Sequence, residues 1–404
     1  MNKKDRLNEL AIYAISFISM SSVAFYPALA MIGKSFPELS TIQTQMLVTV
    51  PSVGMTLSAF ASPPLVKRFC LKSLYIINLF IVFVFSIMPF FLKDFTVIVA
   101  IRTIAGFSFS FIQILLTVNI TSWFPVSKQG RLMGGRTAAT SAGSIIMSYL
   151  GGVLADIDWH YTFLLFIMVA PVIVTTWLWL KTMPPQEAII GRTPSSAGVQ
   201  TATKKKVLFD GITIFICASS VIFLMFLQSY NTNIALLIDA ENFGSATDSG
   251  VSVAIFNASG IVCGLLMAVI RRKLKGRTLL ITILIGMCGM LIIGIAPNIY
   301  LIHIGSFLAG FSFMAFLGFV RLDITATIVT EATRQRAISL LAMTISFSGF
   351  LPPYVVVPVG NAINSGSVRT RFLVAGIMIL IIAAAYEAIR RIKYRKHYSF
   401  YDEI

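Results

Sequence analysis

AIRTIAGFSFSFIQILLTVN, residues 100–119, reads as a membrane-crossing helix with an arginine, Arg102, inside it. Twenty mostly apolar residues are long enough to cross about 30 Å of hydrocarbon. A charge at that depth costs at least about 2.5 kcal/mol, so Arg102 needs a reason to be there. Part of the stretch returns half a chain later. Residues 105–109 and 309–313 both spell AGFSF, an offset of 309 − 105 = 204 in a chain of 404. The same offset pairs Tyr26 with Tyr230 and Asn119 with Asp323, whereas Arg102 falls on Ser306. A duplication of six spans plus six follows from these matches.

Working outward, the composition is 57% hydrophobic and only 12% charged, which excludes a soluble domain whose surface must face water. Twelve apolar stretches predict twelve spans, near 10–32, 43–63, 73–92, 95–119, 133–155, 161–180, 209–233, 248–270, 278–296, 299–320, 337–359 and 370–390. The expected fold is an all-α membrane protein of two pseudo-symmetric six-helix bundles. The halves are 1–182 and 207–404, and a linker at 183–206, rich in Pro, Ser and Lys, has nothing to pack into a core. The net charge of +16 does not point to nucleic acid, because placement matters more than the sum. All but five of the 32 Lys and Arg lie at the termini or in alternate gaps between spans; the exceptions are Lys34, Lys93, Arg102, Arg369 and Arg371. That asymmetry predicts a multi-pass protein of the cell membrane with both termini cytoplasmic. The basic tail RRIKYRK (390–396) would touch anionic lipid.

On a helix, Arg102, Gly106, Phe109 and Gln113 fall at i, i+4, i+7 and i+11, on one face. Arg102 lies seven residues from the outer end, roughly 10 Å deep. It reads either as a cation lining an aqueous cavity, able to bind a carboxylate or repel a proton, or as a structural arginine satisfied by carbonyls and polar neighbours. In span five, Thr137, Ser141, Ser144 and Ser148 make a hydroxyl stripe that suits close packing or cavity lining. Ser19, Ser22 and Tyr26 form a polar line in span one. QSYNTN (228–233) places Gln228, Tyr230 and Asn231 at the outer end of span seven, where an amide cluster can line a path or simply end a helix. Asn257 lies deeper, in span eight, and can join helices or bind ligand.

Absences narrow the chemistry. The sequence has no GxxxxGK[ST] loop and no HExxH, and its four cysteines lack metal-ligand spacing, so no metal or other cofactor is expected. No Asp or Glu falls in the middle of a span. A cavity with an arginine and no carboxylate disfavours cations, leaving anionic, zwitterionic or neutral solutes.

Several motifs resemble the major facilitator superfamily, across essentially the whole chain. Arg102-x-x-x-Gly106 resembles that family's RxxxG motif, which implicates the arginine in proton coupling or anion binding. FPVSKQGRLMG (124–134), with Arg131, resembles its FPxxxRGRxxG connection; VTEATRQRAIS (329–339), with Arg336, is the counterpart after span ten; DWHYTF (158–163) resembles the start of span six. Asp323 and Lys67 sit at gating positions of the same pattern. Two departures stand out: Val66 replaces the acid of the loop after span two, and Ser148 the proline of the antiporter signature in GSIIMSYLGG (143–152). The resemblance implies a proton-coupled secondary transporter of a small organic solute working by alternating access, monomeric and not an enzyme. A proton-driven drug or metabolite exporter and a transporter-like solute sensor are the alternatives.

Overall fold

The computed structural model describes residues 3–180, 211–327, 341, 343–364 and 366–393. Among these the chain is helical throughout, with no strand. Ten helices are long and apolar enough to cross a membrane, and the bent pair Met343–Phe350 and Pro352–Ile363 makes an eleventh span. Span two completes the set as a more polar, broken element, Thr41–Thr49 followed by Pro51–Arg68. The linker 183–206 lies outside the described residues, as do the motif around Arg336 and residues 394–396 of the basic tail.

Besides the bent span eleven, three predicted spans are not single α-helices. Span one runs as Lys3–Ile18, a 3-10 turn Ser21–Phe25 and a short helix Leu29–Ser35. The break follows from its hydroxyls: Ser16, Ser19 and Ser21 donate to the carbonyls of Ile12, Ser16 and Ile18, competing with the helical ladder. Span two breaks before Pro51, whose ring starts the second helix well but cannot continue the first. Span six begins as a 3-10 stretch, Trp159–Met168, before Val169–Trp179. Spans four (Phe95–Trp123) and five (Val126–Ile157) are single helices, and span five starts seven residues before the predicted 133.

Burial divides the apolar core into two clusters. One joins residues from Ala11 to Leu180, with Ala235 and Ala246 added; the other runs from Cys217 to Tyr386. Within each, a glycine lets span four or its repeat touch a neighbour. A Cβ at Gly106 would overlap the backbone of Pro51, and one at Gly310 would overlap the carbonyl of Phe256. The duplication inferred from AGFSF therefore reappears as a packing contact, with 106 and 310 separated by 204 and their partners by 205.

An even number of spans puts both termini on one side, called here the basic face; the other is the far face. The halves pack most extensively through spans five and eight (Ala246–Leu274). Among the described residues, the bonds between the halves gather at the far face and hold it closed.

Candidate functional site

Arg102 does not open onto a cavity in this conformation. It is 3% exposed and packs into the N-terminal half. Its Nε donates to the Leu47 carbonyl at 2.7 Å, a terminal nitrogen donates to Ser22 Oγ at 3.4 Å, and its guanidinium stacks 3.8 Å over the Phe25 ring. No carboxylate is among these partners. The rest of that face is also internal: Phe109 packs edge-on against Phe166, and Gly106 rests on Pro51. Spans one, two and six thus cover Arg102, Gly106 and Phe109 in this conformation.

Gln113, the fourth, is half-buried. Its Nε2 donates to Ser19 Oγ at 3.0 Å, and its Oε1 accepts from Arg136 at 2.5 Å. Arg136 also donates to Thr117 Oγ1 at 2.7 Å. Read in the sequence as a loop cation, Arg136 instead sits ten residues inside span five and turns onto span four. The early start of span five was the missed signal.

Tyr26 is half-buried and packs against the cores of both halves, close enough to Arg102 to feel its charge. Its repeat mate Tyr230 is fully buried, donating to Ser306 Oγ at 2.9 Å and stacking on Phe256. Tyr230 therefore packs inside the C-terminal half instead of lining a path. The pair Tyr230–Ser306 occupies the same repeat positions as Tyr26–Arg102, with the charge deleted.

Gln228 donates to Ser348 Oγ at 2.7 Å, and its Oε1 lies beside Gly349, which also borders Ser52 of span two. It thus sits where spans two, seven and eleven converge. Asn231 is half-exposed. Asn257 donates to Val253 O of its own helix, at 2.8 Å. Ser144 and Ser148 likewise donate to Thr140 O and Ser144 O; Ser141 is half-buried on the same helix. Span five lies against span eight, and Thr137 at the start of the stripe is exposed.

Of the motif residues, Lys67 is exposed at the end of span two. Arg131 reaches both oxygens of buried Glu9, at 2.7 and 2.8 Å, tying span five to span one at the basic face. Asp323 falls in the helix Ile299–Thr327, but its side chain, like Arg336, is outside the described set.

The far-face closure holds residues that sequence reasoning passed over. Asp156, at the end of span five, accepts from Ala246 N (2.8 Å), Thr247 N (3.0 Å), Ser245 Oγ (2.8 Å) and Thr247 Oγ1 (2.5 Å). It caps span eight from the other half, where orphan N–H groups and the helix dipole favour an anion. Lys34 pairs with Asp239 at 2.5 Å. Gln45 of span two donates to Thr232 O and Asn233 Oδ1, both at 3.0 Å. Asn233 Oδ1 also accepts from Arg371. Such pairings across the halves leave no trace in local periodicity.

Solved transporters share this architecture at low sequence identity. A bacterial homologue of the human lysosomal transporter Spinster, in an inward-facing and unoccupied conformation, has a TM-score of 0.73 at 15% identity, covering 97% of this chain and 98% of its own. The nucleoside transporter NupG gives 0.76 at 15%, covering 97% and 100%. The D-xylose–proton symporter gives 0.68 at 14%, covering 94% and 97%. No curated protein matches the sequence. The family model of the Major Facilitator Superfamily matches residues 10–353, so the chain belongs to that superfamily and is a multi-pass membrane transporter, not an enzyme.

Proposed function

We propose that the protein is a proton-coupled secondary transporter of a small organic solute, anionic, zwitterionic or neutral, working by alternating access between the halves 1–182 and 207–404. In this reading the far face is the outside and both termini are cytoplasmic, in a cell membrane, and the bonds at the far face close the outer end of the path. The observation that carries this reading is Arg102, buried at membrane depth on neutral partners only. A guanidinium so placed is poised to exchange the Leu47 carbonyl or Ser22 hydroxyl for an anionic group, a stronger, charge-assisted partner. Proton coupling is supported by the D-xylose–proton symporter neighbour. With no acid in the middle of a span, the proton is carried by the solute's own carboxylate or by a group whose affinity Arg102 sets.

Tyr26 and Gln228 are the side chains best placed to meet a solute between the halves, the first touching both cores and the second at the junction of spans two, seven and eleven. Gln113, backed by Arg136, supplies polar groups nearer the cytoplasm.

The test is uptake into proteoliposomes of organic anions, amino acids, sugars, nucleosides and lipophilic cations, with and without a pH gradient. Movement of a non-cationic solute that the gradient stimulates, lost in Arg102→Ala while melting stays cooperative, is the expected result. Unchanged transport in Arg102→Ala removes its role. Binding without counterflow would instead identify a solute sensor, and movement of lipophilic cations a drug exporter.

A further inference from the structure

We propose that Arg371 is an anion-binding station on the far-face side of the path, covered in the present conformation and uncovered when the halves part there. The proposal rests on the alternating-access reading above. Arg371 sits three residues into span twelve (Val368–Lys393), about 5 Å from its far end. It is only 4% exposed. One terminal nitrogen donates to Asn233 Oδ1 at 3.1 Å and the other to Asn361 Oδ1 at 3.3 Å, while its Nε has no partner. No carboxylate of a described residue pairs with it. Arg369, two residues earlier, shows the contrast: it has Glu241 at 2.8 Å and the Ala296 carbonyl at 2.7 Å.

A buried guanidinium held only by amide oxygens, with its Nε–H unmade, is a costly arrangement. Its cover comes from the other half. Asn233 Oδ1 spends both lone pairs, one on Arg371 and one on Gln45 of span two. When the far face opens, Gln45 leaves with the N-terminal half, and Arg371 keeps Asn233 but gains access to water. The free Nε–H and a terminal N–H then offer the fork that takes a carboxylate or a small inorganic anion. Closure works against that occupant, because Gln45 brings its own unpartnered Oε1, an acceptor, to the same Asn233. Anion binding at Arg371 and far-face closure therefore exclude each other, and an anion arriving from the far side draws the protein toward the far-open state.

The experiment uses the full chain with its four cysteines replaced and spin labels at Ile157 and Tyr300, both exposed near the far face on opposite halves. The far-open population is read as the long-distance component while sodium chloride or sodium acetate replaces sodium methanesulfonate at constant ionic strength. The expected result is a rise of about threefold or more in that population, absent in Arg371→Gln, reduced in Arg371→Lys and retained in Arg369→Gln. A response to chloride alone makes the occupant a free inorganic anion; a response to acetate alone makes it a carboxylate such as a solute would carry. No rise with either salt, or an equal rise in Arg371→Gln and Arg371→Lys, overturns the station. Asp156→Ala, which opens the far face by another route, separates the two failures. If that variant opens yet ignores both anions, or if counterflow of the solute panel in proteoliposomes persists while neither anion raises the far-open population, the station alone is wrong; if counterflow is absent, alternating access is wrong too.

Discussion

Replacing Asp156 by alanine should open the far face without unfolding span eight. The carboxylate accepts four bonds from Ser245, Ala246 and Thr247, all in the other half. Asp156 is exposed, so water competes for each of these groups, and full values for bonds to a buried charge do not apply. A helix N-cap is worth about 0.5–2 kcal/mol. A negative charge at an exposed helix N-terminus adds about 0.3–1 kcal/mol. Together these give about 2 kcal/mol favouring the closed far face, and at 1.4 kcal/mol per factor of ten its loss raises the open-to-closed ratio roughly 30-fold. Asp156→Asn keeps one acceptor oxygen and drops the charge, for about 1 kcal/mol and roughly fivefold. Span eight itself survives because it carries its own capping box: Ser245 Oγ accepts from Thr247 N, and Asp248 Oδ2 accepts from Ser245 N. Labels at Ile157 and Tyr300 read the ratio, and thermal melting reads the fold. An open fraction in Asp156→Ala within twofold of the parent, or a fall in Tm with no change in that fraction, refutes the latch.

The Lys34–Asp239 pair makes a weaker claim on the same closure. With side chains 60% and 30% exposed, it is worth about 0.2–1 kcal/mol, so Lys34→Ala should change the open-to-closed ratio by less than about fivefold; a larger shift in the label distances would contradict this ranking. Gly106→Ala forces a methyl into the backbone of Pro51 and should cost about 1–3 kcal/mol, read as a lowered Tm that Gly130→Ala, where a Cβ meets nothing, does not show. Equal melting of the two would mean spans two and four separate easily. Gln113→Leu removes the acceptor of Arg136 and the donor to Ser19, and should change the apparent KM for the transported solute by about tenfold, the 1–3 kcal/mol scale of an unmet polar group. Identical kinetics would take the cytoplasmic end of span four off the path.

The features legible in the sequence were those that one chain segment carries alone. Apolar length marked the spans, and the AGFSF echo located a repeat that reappears as Gly106 on Pro51 and Gly310 on Phe256. The site was harder to read because it depends on which face turns to which neighbour. The i, i+4, i+7, i+11 spacing correctly put Arg102 and Gln113 on one side of span four, but could not say that spans one, two and six already occupy most of that side. Arg136 groups with the basic residues after span four although it lies three residues inside the predicted run from 133, and the polar residues from Val126 onward are helical too. Asp156 and Gln45 gave no periodic signal, since their partners lie about 90 and 190 residues away in the chain.

The two halves also differ in where they bury charge. At the symmetric position the C-terminal half replaces Arg102 by Ser306, yet it holds a buried arginine elsewhere, Arg371, whose counterpart at the 204 offset is Ile167. Both arginines act on the same short helix, Thr41–Thr49. Arg102 holds its Leu47 carbonyl from within the N-terminal half, while Arg371 reaches its Gln45 through Asn233 from the other half. If the halves part as rigid bodies at the far face, the first link moves as a unit and the second must break. Pro51 ends this helix, so it can tilt with little strain on Pro51–Arg68. The arginine that stays attached is therefore the one that keeps the helix folded on its own half. The one that lets go is the charge newly shown to a solute, and the asymmetry between the repeats assigns the two tasks to different residues.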